Sequence, residues 1–430
     1  MTFRRVEVLE VRAWGSLVGA VTQLPDSPLA VFEYNRAWRG PELSPLLMAR
    51  SPRRRTWTFP GLSLETFHGL PPLLAGSVPD DFGNAVITAA LLREGLQRAD
   101  VRPIDRLAYV GTRAMGALTF HPAQSPKLEA TALEMAQLVE GARRAIRGSL
   151  AEDQRSETVN EILSVGVSAG GARAKAIIAF EPESGEVRVG GIDAPEGFEQ
   201  WLIKFDGVGE DRELGTGGDF GRIEYAYSLM ARQAGIEMAE CRLLEEADRA
   251  HFMTRRFDRP GVHGERLHLQ SLNDLLGLDF RQRVTHGYES LFQADAELQS
   301  GAAEQIFRRM VFNVLGSNHD DHTKNHAFLL SQEGSWRLSP AYDLSYAYNP
   351  QGFWTSQHLM GVNGKFAQIT RADLLGIADR YRVPGASRVL REVAAAVAEF
   401  TDFARAAGVS KTRTQQIERR LRELRDESGA

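Results

Sequence analysis

Ten consecutive residues, Ser317-Asn318-His319-Asp320-Asp321-His322-Thr323-Lys324-Asn325-His326, constrain this chain more than any other stretch. On one side Ala302–Leu315 has helical periodicity, with Ile306, Met310 and Val314 on one stripe; on the other Ala327–Leu330 reads as a short apolar strand. So polar a run between two core-forming elements belongs at a surface or a cleft. A further acid, Asp343, closes Leu338-Ser339-Pro340-Ala341-Tyr342-Asp343 after a second short strand, Trp336–Leu338. An acid, an Asn five positions on and a later Asp are what metal-dependent phosphoryl transfer needs. One carboxylate orients the acceptor hydroxyl and takes its proton, while the amide oxygen and the other carboxylate hold Mg²⁺ against the phosphates. Two other readings stand beside this one. The run is a polar loop with solvated acids, or His319, His322 and His326 form a transition-metal site. The latter needs a continuous helix, and Asn318, Thr323 and Asn325 make a poor one.

The rest of the chain supplies a frame. At about 150 residues per domain, 430 residues suggest two to three domains. Lysines and arginines number 51 against 56 acids, and a net charge of −5 argues against nucleic-acid binding through global charge. The lone Cys241 cannot form an internal disulfide, and no run approaches the roughly 18 apolar residues of a membrane span, so a cytoplasmic protein is expected. Val6–Val11, Ser16–Val21, Leu107–Gly111 and Gly116–Phe120 read as strands, with helical spacing from Phe82 through Leu92. Arg53-Arg54-Arg55 is a solvated loop or an anion patch. Glu129–Ile146 reads as a helix and Ala151–Val159 as a linker. Then come strands at Ala174–Phe180, Glu186–Gly190 and Gln200–Phe205, a helix at Asp219–Ala234 ended by Gly235, and strands at Cys241–Leu244 and Phe252–Phe257. From His268 the pattern is mainly helical, with helices at Ala372–Tyr381, Arg388–Ala406 and the basic Thr412–Arg425.

Two upstream features bear on the same chemistry. Val165–Lys175 is rich in small residues that let backbone N–H groups approach an anion, but its spacing matches neither nucleotide-loop pattern, and a tight hairpin explains it equally. Lys204 interrupts an apolar strand, Trp201–Phe205; alternating burial sets it opposite Leu202, near a cleft wall or a sheet edge. Glu224, on the following helix, pairs with Lys204 as a kinase helix glutamate does, or is an ordinary exposed acid.

Together these motifs resemble the HipA family of serine/threonine kinases, the toxin half of a bacterial toxin–antitoxin pair. Ser168–Lys175 is similar to the family's phosphate loop, Trp201–Phe205 to its lysine strand, and Arg256-Phe257-Asp258-Arg259 to its hinge segment. His319–Asn325 is similar to its catalytic motif and Leu338–Asp343 to its metal motif. Gly69-Leu70-Pro71-Pro72 and Tyr109–Leu118 resemble the domain that precedes the kinase core.

The resemblance implies an α+β, two-lobed protein-kinase-like fold with a β-rich N-terminal subdomain and a mainly helical C-terminal lobe. It implies four parts: 1–120, the N-terminal β-rich subdomain; 121–160, helix and linker; 161–260, the kinase N-lobe with the phosphate loop; and 261–430, the helical C-lobe. Asp320 takes the role of catalytic base, and Asn325 and Asp343 those of Mg²⁺ ligands. ATP is assigned to Gly170, Gly171, Ala172, Arg173, Ala174, Lys175, Lys204, Arg255, Arg256, Phe257, His322, Lys324 and Tyr342. Ser168 matches a serine whose autophosphorylation switches the kinase off, since a phosphate of about −1.5 to −2 charge cannot share the site with ATP phosphates. Implied partners are a HipB-like helix-turn-helix antitoxin, DNA through that antitoxin, and a protein substrate with an aminoacyl-tRNA synthetase as precedent; no membrane is implied. Five positions depart from the family pattern. Gly170 and Arg173-Ala174 stand where Ala and Gln-Glu are usual, Asp321 replaces a Gly, and Arg255 stands where an acid is common. A metal-dependent phosphohydrolase and a catalytically idle co-repressor are the competing functions.

Overall fold

A computed structural model describes residues 4–79, 81–93, 95–97, 101–124, 138–139, 142, 174–191, 194–208, 218–246, 249–261 and 264–428. The chain divides into two compact units. One comprises Met1–Gly209, Thr254–Gln270 and Leu329–Ser335; the other comprises Glu210–Met253, Ser271–Phe328 and Trp336–Ala430.

The first unit opens with an antiparallel sheet of β1 (Val8–Ala13), β2 (Ser16–Gln23), β3 (Ala30–Tyr34), β4 (Thr56–Trp57) and β5 (Leu118–His121), in the order β4-β3-β2-β1-β5. Along β1 the residues Leu9, Val11 and Ala13 are fully buried and alternate with more exposed ones, the period expected of a one-sided strand. Helices α1 (Asp81–Arg93) and α2 (Pro103–Val110) follow, α2 packing on β2 and β5. The apolar run Leu107–Gly111 is therefore helical, not the expected strand. The deciding signals lie upstream: Pro103 occupies the first turn and Asp105 accepts from Arg102 N at 3.0 Å, while Gly111, at φ 58°, closes the helix. A five-residue apolar run cannot by itself tell helix from buried strand.

A second sheet in this unit sets β6 (Lys175–Phe180) between β7 (Val187–Val189) and β8 (Glu199–Lys204), antiparallel to both. Every residue of β6 is buried, as suits a strand covered on both faces. On β8, Trp201 and Ile203 are buried while Leu202 and Lys204 are half-buried. Lys204 thus shares a face with Leu202 instead of opposing it, because side chains two apart on a strand point the same way.

The second unit is mainly helical. It contains α3 (Phe220–Gln233), β9 (Cys241–Glu246), most of β10 (Arg249–Arg255), α4 (Leu272–Leu276), the short strand β11 (His286–Gly287), α5 (Tyr288–Leu298) and α6 (Ala303–Leu315). Beyond the polar loop come the first half of β12 (Ala327–Leu330), β13 (Trp336–Leu338), β14 (Met360–Gly361), α7 (Arg371–Arg380), α8 (Ala386–Ala398), α9 (Phe400–Ala406) and α10 (Lys411–Ser428). The expected single helix over Arg388–Ala406 is two helices, parted at Glu399. From Ile306 to Leu315, α6 is buried throughout and packs on α8 and α10. Gly221 lets α3 approach β10 closely: a Cβ there would lie 2.1 Å from the Ala250 carbonyl oxygen. Among the described residues no helix is long and apolar enough to cross a membrane. Of Glu129–Ile146 only Leu138, Val139 and Ala142 are described, all helical and buried, and Ala151–Val159 lies outside the described residues.

Candidate functional site

The polar loop hangs between the end of α6 and the start of β12, and its backbone is fixed at several points. Tyr227 donates to the Gly316 carbonyl (2.6 Å), and Asn318 N donates to Asn313 O (3.0 Å). His319 N donates to Ala347 O (3.1 Å), and its own carbonyl accepts from Leu359 N (3.2 Å). The strongest anchor is Asp321. Its fully buried carboxylate accepts from the Tyr288 hydroxyl (2.8 Å), Leu359 N (2.8 Å) and Met360 N (3.1 Å), and lies 3.0 Å from His358 Nδ1. A buried carboxylate is tolerated only when its lone pairs are satisfied in this way. Burial, and then the Asp321 charge, push the Tyr288 hydroxyl well above its ordinary pKa, so it remains a protonated donor. Asn313 extends the network, donating to the Tyr288 oxygen (2.8 Å) and accepting from Asn318 Nδ2 (2.9 Å).

With its neighbour pinned inward, the Asp320 side chain stands 51% exposed. Asn325, in a short 3₁₀ turn, donates its amide to the Asp320 carbonyl (2.8 Å). That leaves Asn325 Oδ1 as the amide's acceptor atom. Asn318 Nδ2 reaches the Asp343 carbonyl (3.5 Å), and Tyr342 donates its hydroxyl to Lys324 O (2.7 Å). The Tyr342 hydroxyl is held far above its usual range, first by burial and then by Asp343. His322 rests against Phe280 (ring centroids 5.1 Å) with Nε2 3.8 Å from Asp320 Oδ1, and Lys324 Nζ lies 4.5 Å from the same Phe280 ring. Asp320, His322, Lys324, Asn325, Tyr342 and Asp343 are thus gathered on one loop and the segment tied to it. Asn325 and Asp343 offer hard oxygen donors, a set that fits Mg²⁺, which keeps several waters and needs few protein ligands.

The three histidines do not converge. His319 lies against His358 and Tyr348 (4.2 and 4.9 Å), His322 against Phe280, and His326 against Tyr288 (5.5 Å). Burial lowers His326 to about 4 and takes His319 well below its usual pKa. Thr323–Asn325 is a 3₁₀ turn and not part of a continuous α-helix, so the i, i+3, i+7 spacing has no helix to act on.

In the first unit, Lys175 and Lys204 face each other directly across β6 and β8. Lys175 is buried and Lys204 half-buried. Ala174 is buried beside them, whereas Ser168, Gly170, Gly171, Ala172 and Arg173 lie outside the described residues. The hinge segment divides its duties. Arg256 grips Asp258 through two hydrogen bonds (3.0 and 2.7 Å), and Arg259 takes Asp258 (2.7 Å) and the carbonyls of Gly116 and Ala114 (2.9 and 3.0 Å). Burial alone would raise the Asp258 carboxyl, but the two guanidiniums outweigh it and hold the group far below the usual range. Arg255 pairs with Glu199 (3.1 Å), and Phe257 is half-buried. Glu224 belongs to the second unit, where it is buried on α3.

Sequence reasoning missed Tyr288, Asn313 and His358, which hold the loop. An Asn within the apolar stripe of α6 was a readable signal. Nothing in the pattern around His358 marks it, because its role depends on a contact 37 residues distant in sequence.

Comparisons with known proteins bear on family and fold. The HipA N-terminal domain matches residues 9–121, and the HipA-like C-terminal domain matches residues 167–426. Y4dM of Sinorhizobium fredii (strain NBRC 101917 / NGR234), designated a candidate kinase, is 24% identical over 370 residues, spanning 79% of this chain and 77% of its own. A chain from the Shewanella oneidensis MR-1 complex of HipA, HipB and operator DNA superposes with a TM-score of 0.65 at 16% identity, covering 98% of this chain and 96% of that one. The likeness is one of fold, the α+β protein-kinase-like arrangement. With both domain matches in order along most of its length, this chain belongs to the HipA family.

Proposed function

We propose that the chain is an ATP- and Mg²⁺-dependent serine/threonine protein kinase, the toxin of a HipA/HipB-like toxin–antitoxin system. The observation that carries this reading is the half-exposed Asp320 on a loop whose next residue, Asp321, is buried and held by Tyr288, His358 and two backbone amides. Asp320 accepts the proton of the acceptor hydroxyl as that oxygen bonds to the γ-phosphorus of ATP and the bond to the β–γ bridging oxygen breaks, releasing ADP. Asn325 and Asp343 hold Mg²⁺, which neutralises the phosphates when bound. Lys204 and Lys175, with Gly170 to Ala174, meet the phosphates; His322 and Lys324 lie beside them; Tyr342 secures the loop through Lys324; and Arg255, Arg256 and Phe257 flank the adenine. The chemistry is mostly positioning and charge stabilisation, which a rigidly anchored loop serves.

Family membership supports a HipB-like antitoxin as partner, with DNA reached through it, and a translation-related substrate such as an aminoacyl-tRNA synthetase. Autophosphorylation of Ser168 inactivates the enzyme in this account, and the division at 120, 160 and 260 is part of the same reading. The test is transfer of ³²P from γ-labelled ATP to protein by wild type and Asp320→Asn. The variant is expected to lose about a thousandfold or more in rate while keeping its thermal transition. Transfer near the wild-type rate would remove Asp320 from the mechanism.

A further inference from the structure

Two large apolar side chains of the mainly helical unit stand exposed: Val284 at 54% and Phe353 at 64%. Between them Arg283 lays its guanidinium 4.6 Å from the centre of the Phe353 ring. We propose that Val284, Arg283 and Phe353 form the docking surface for the acceptor protein, and that its occupant is an acceptor segment pairing an apolar side chain with a carboxylate. The inference rests on the kinase reading and deepens it by naming the substrate's chemistry.

Three observations carry it. First, Val284 adopts φ 57°, a left-handed conformation that a β-branched residue rarely accepts, and it does so with its side chain presented to solvent. Burial does not account for that strain, whereas presenting the side chain to a partner does. Second, Arg283 has no ion pair with a carboxylate among the described residues. Its one hydrogen bond, to Ser356 Oγ, is 3.5 Å long, and its buried Nε has no acceptor. A guanidinium stacked on an aromatic ring is oriented for two-pronged capture of a carboxylate. Third, the surface is continuous with the catalytic loop from both sides. Phe280, three residues before Arg283, supports His322 and Lys324; His358, five residues after Phe353, contacts Asp321. The parallel pairing of His286 with Met360 and of Gly287 with Gly361 stitches these two segments together. A segment held on Phe353 and Arg283 therefore rests on the same two chain segments that support the loop carrying Asp320.

The test reads binding without phosphoryl transfer. A random peptide-display library is selected on the full chain in the absence of ATP. The dissociation constants of enriched peptides are then measured on wild type, Arg283→Glu and Phe353→Ala, each with its thermal transition checked. Enriched peptides are expected to carry Asp or Glu beside an apolar or aromatic residue. Each variant should weaken them by about tenfold or more, and exchanging the acid for Lys should recover part of the loss on Arg283→Glu. The proposal is overturned if no peptide is enriched, if the enriched set lacks that pairing, or if both variants bind as wild type does. It is also overturned if sedimentation shows the surface closed against a second copy, released by Phe353→Ala. Peptides that dock there and are never phosphorylated on adding Mg-ATP would count against the kinase reading alone.

Discussion

Asp320 and Asp321 are neighbours with opposite environments, one half-exposed, the other buried and fully hydrogen-bonded, and the contrast separates their roles. Asp321 acts through the loop it holds. Asp321→Asn replaces an acceptor-only group with one whose NH₂ faces donors, so stability should fall by about 3 kcal/mol. A loop displaced by about 1 Å costs on the order of a hundredfold in rate. We therefore expect kcat to fall by about that factor while KM for ATP stays near wild type; a loss confined to KM would contradict the positioning role. His326 and His268 make a different prediction. Burial lowers both to about 4 from the ordinary 6.5, so the folded protein keeps them neutral where the unfolded chain takes up protons. Their contribution to stability is complete above about pH 6.5 and is lost as pH falls toward 4. Thermal midpoints between pH 7.5 and 4.5 should decline accordingly, with a shallower decline in His326→Gln. An equal slope in that variant would show that the histidine does not contribute.

At the level of elements, legibility follows how local each cause is. The strands β1, β2, β6 and β8 and the helices α3 and α6 were readable because burial imposes a period of two or of 3.6 on contiguous residues. The α2 helix was misread because its cap and proline precede the apolar run. The polar loop was legible as composition, and its anchors Tyr288 and His358 were not, since tertiary contacts leave no periodic trace. The hinge segment carries a second lesson. Its sequence resembles a nucleotide contact, yet Arg256 and Arg259 spend their charge on Asp258, joining the segment to Gly116 and Ala114. Asp258→Asn leaves two guanidiniums of that cluster short of their carboxylate, and we expect a loss of about 4 kcal/mol, read by denaturant unfolding. A loss under about 1 kcal/mol would mean that the cluster behaves as a surface ion pair.

Over the whole molecule, the polar groups assigned to phosphoryl transfer are divided between the two units. Asp320, Asn325 and Asp343 belong to the mainly helical one, and Lys175 and Lys204 to the sheet-rich one. The proposed phosphoryl transfer calls on groups from both. The most direct measurement is intact mass with phosphosite mapping after incubation with Mg-ATP, for wild type beside Asp320→Ala. The account predicts one added phosphate, at Ser168, in the wild type and none in the variant. An equal gain in both proteins, or none in either, would contradict it.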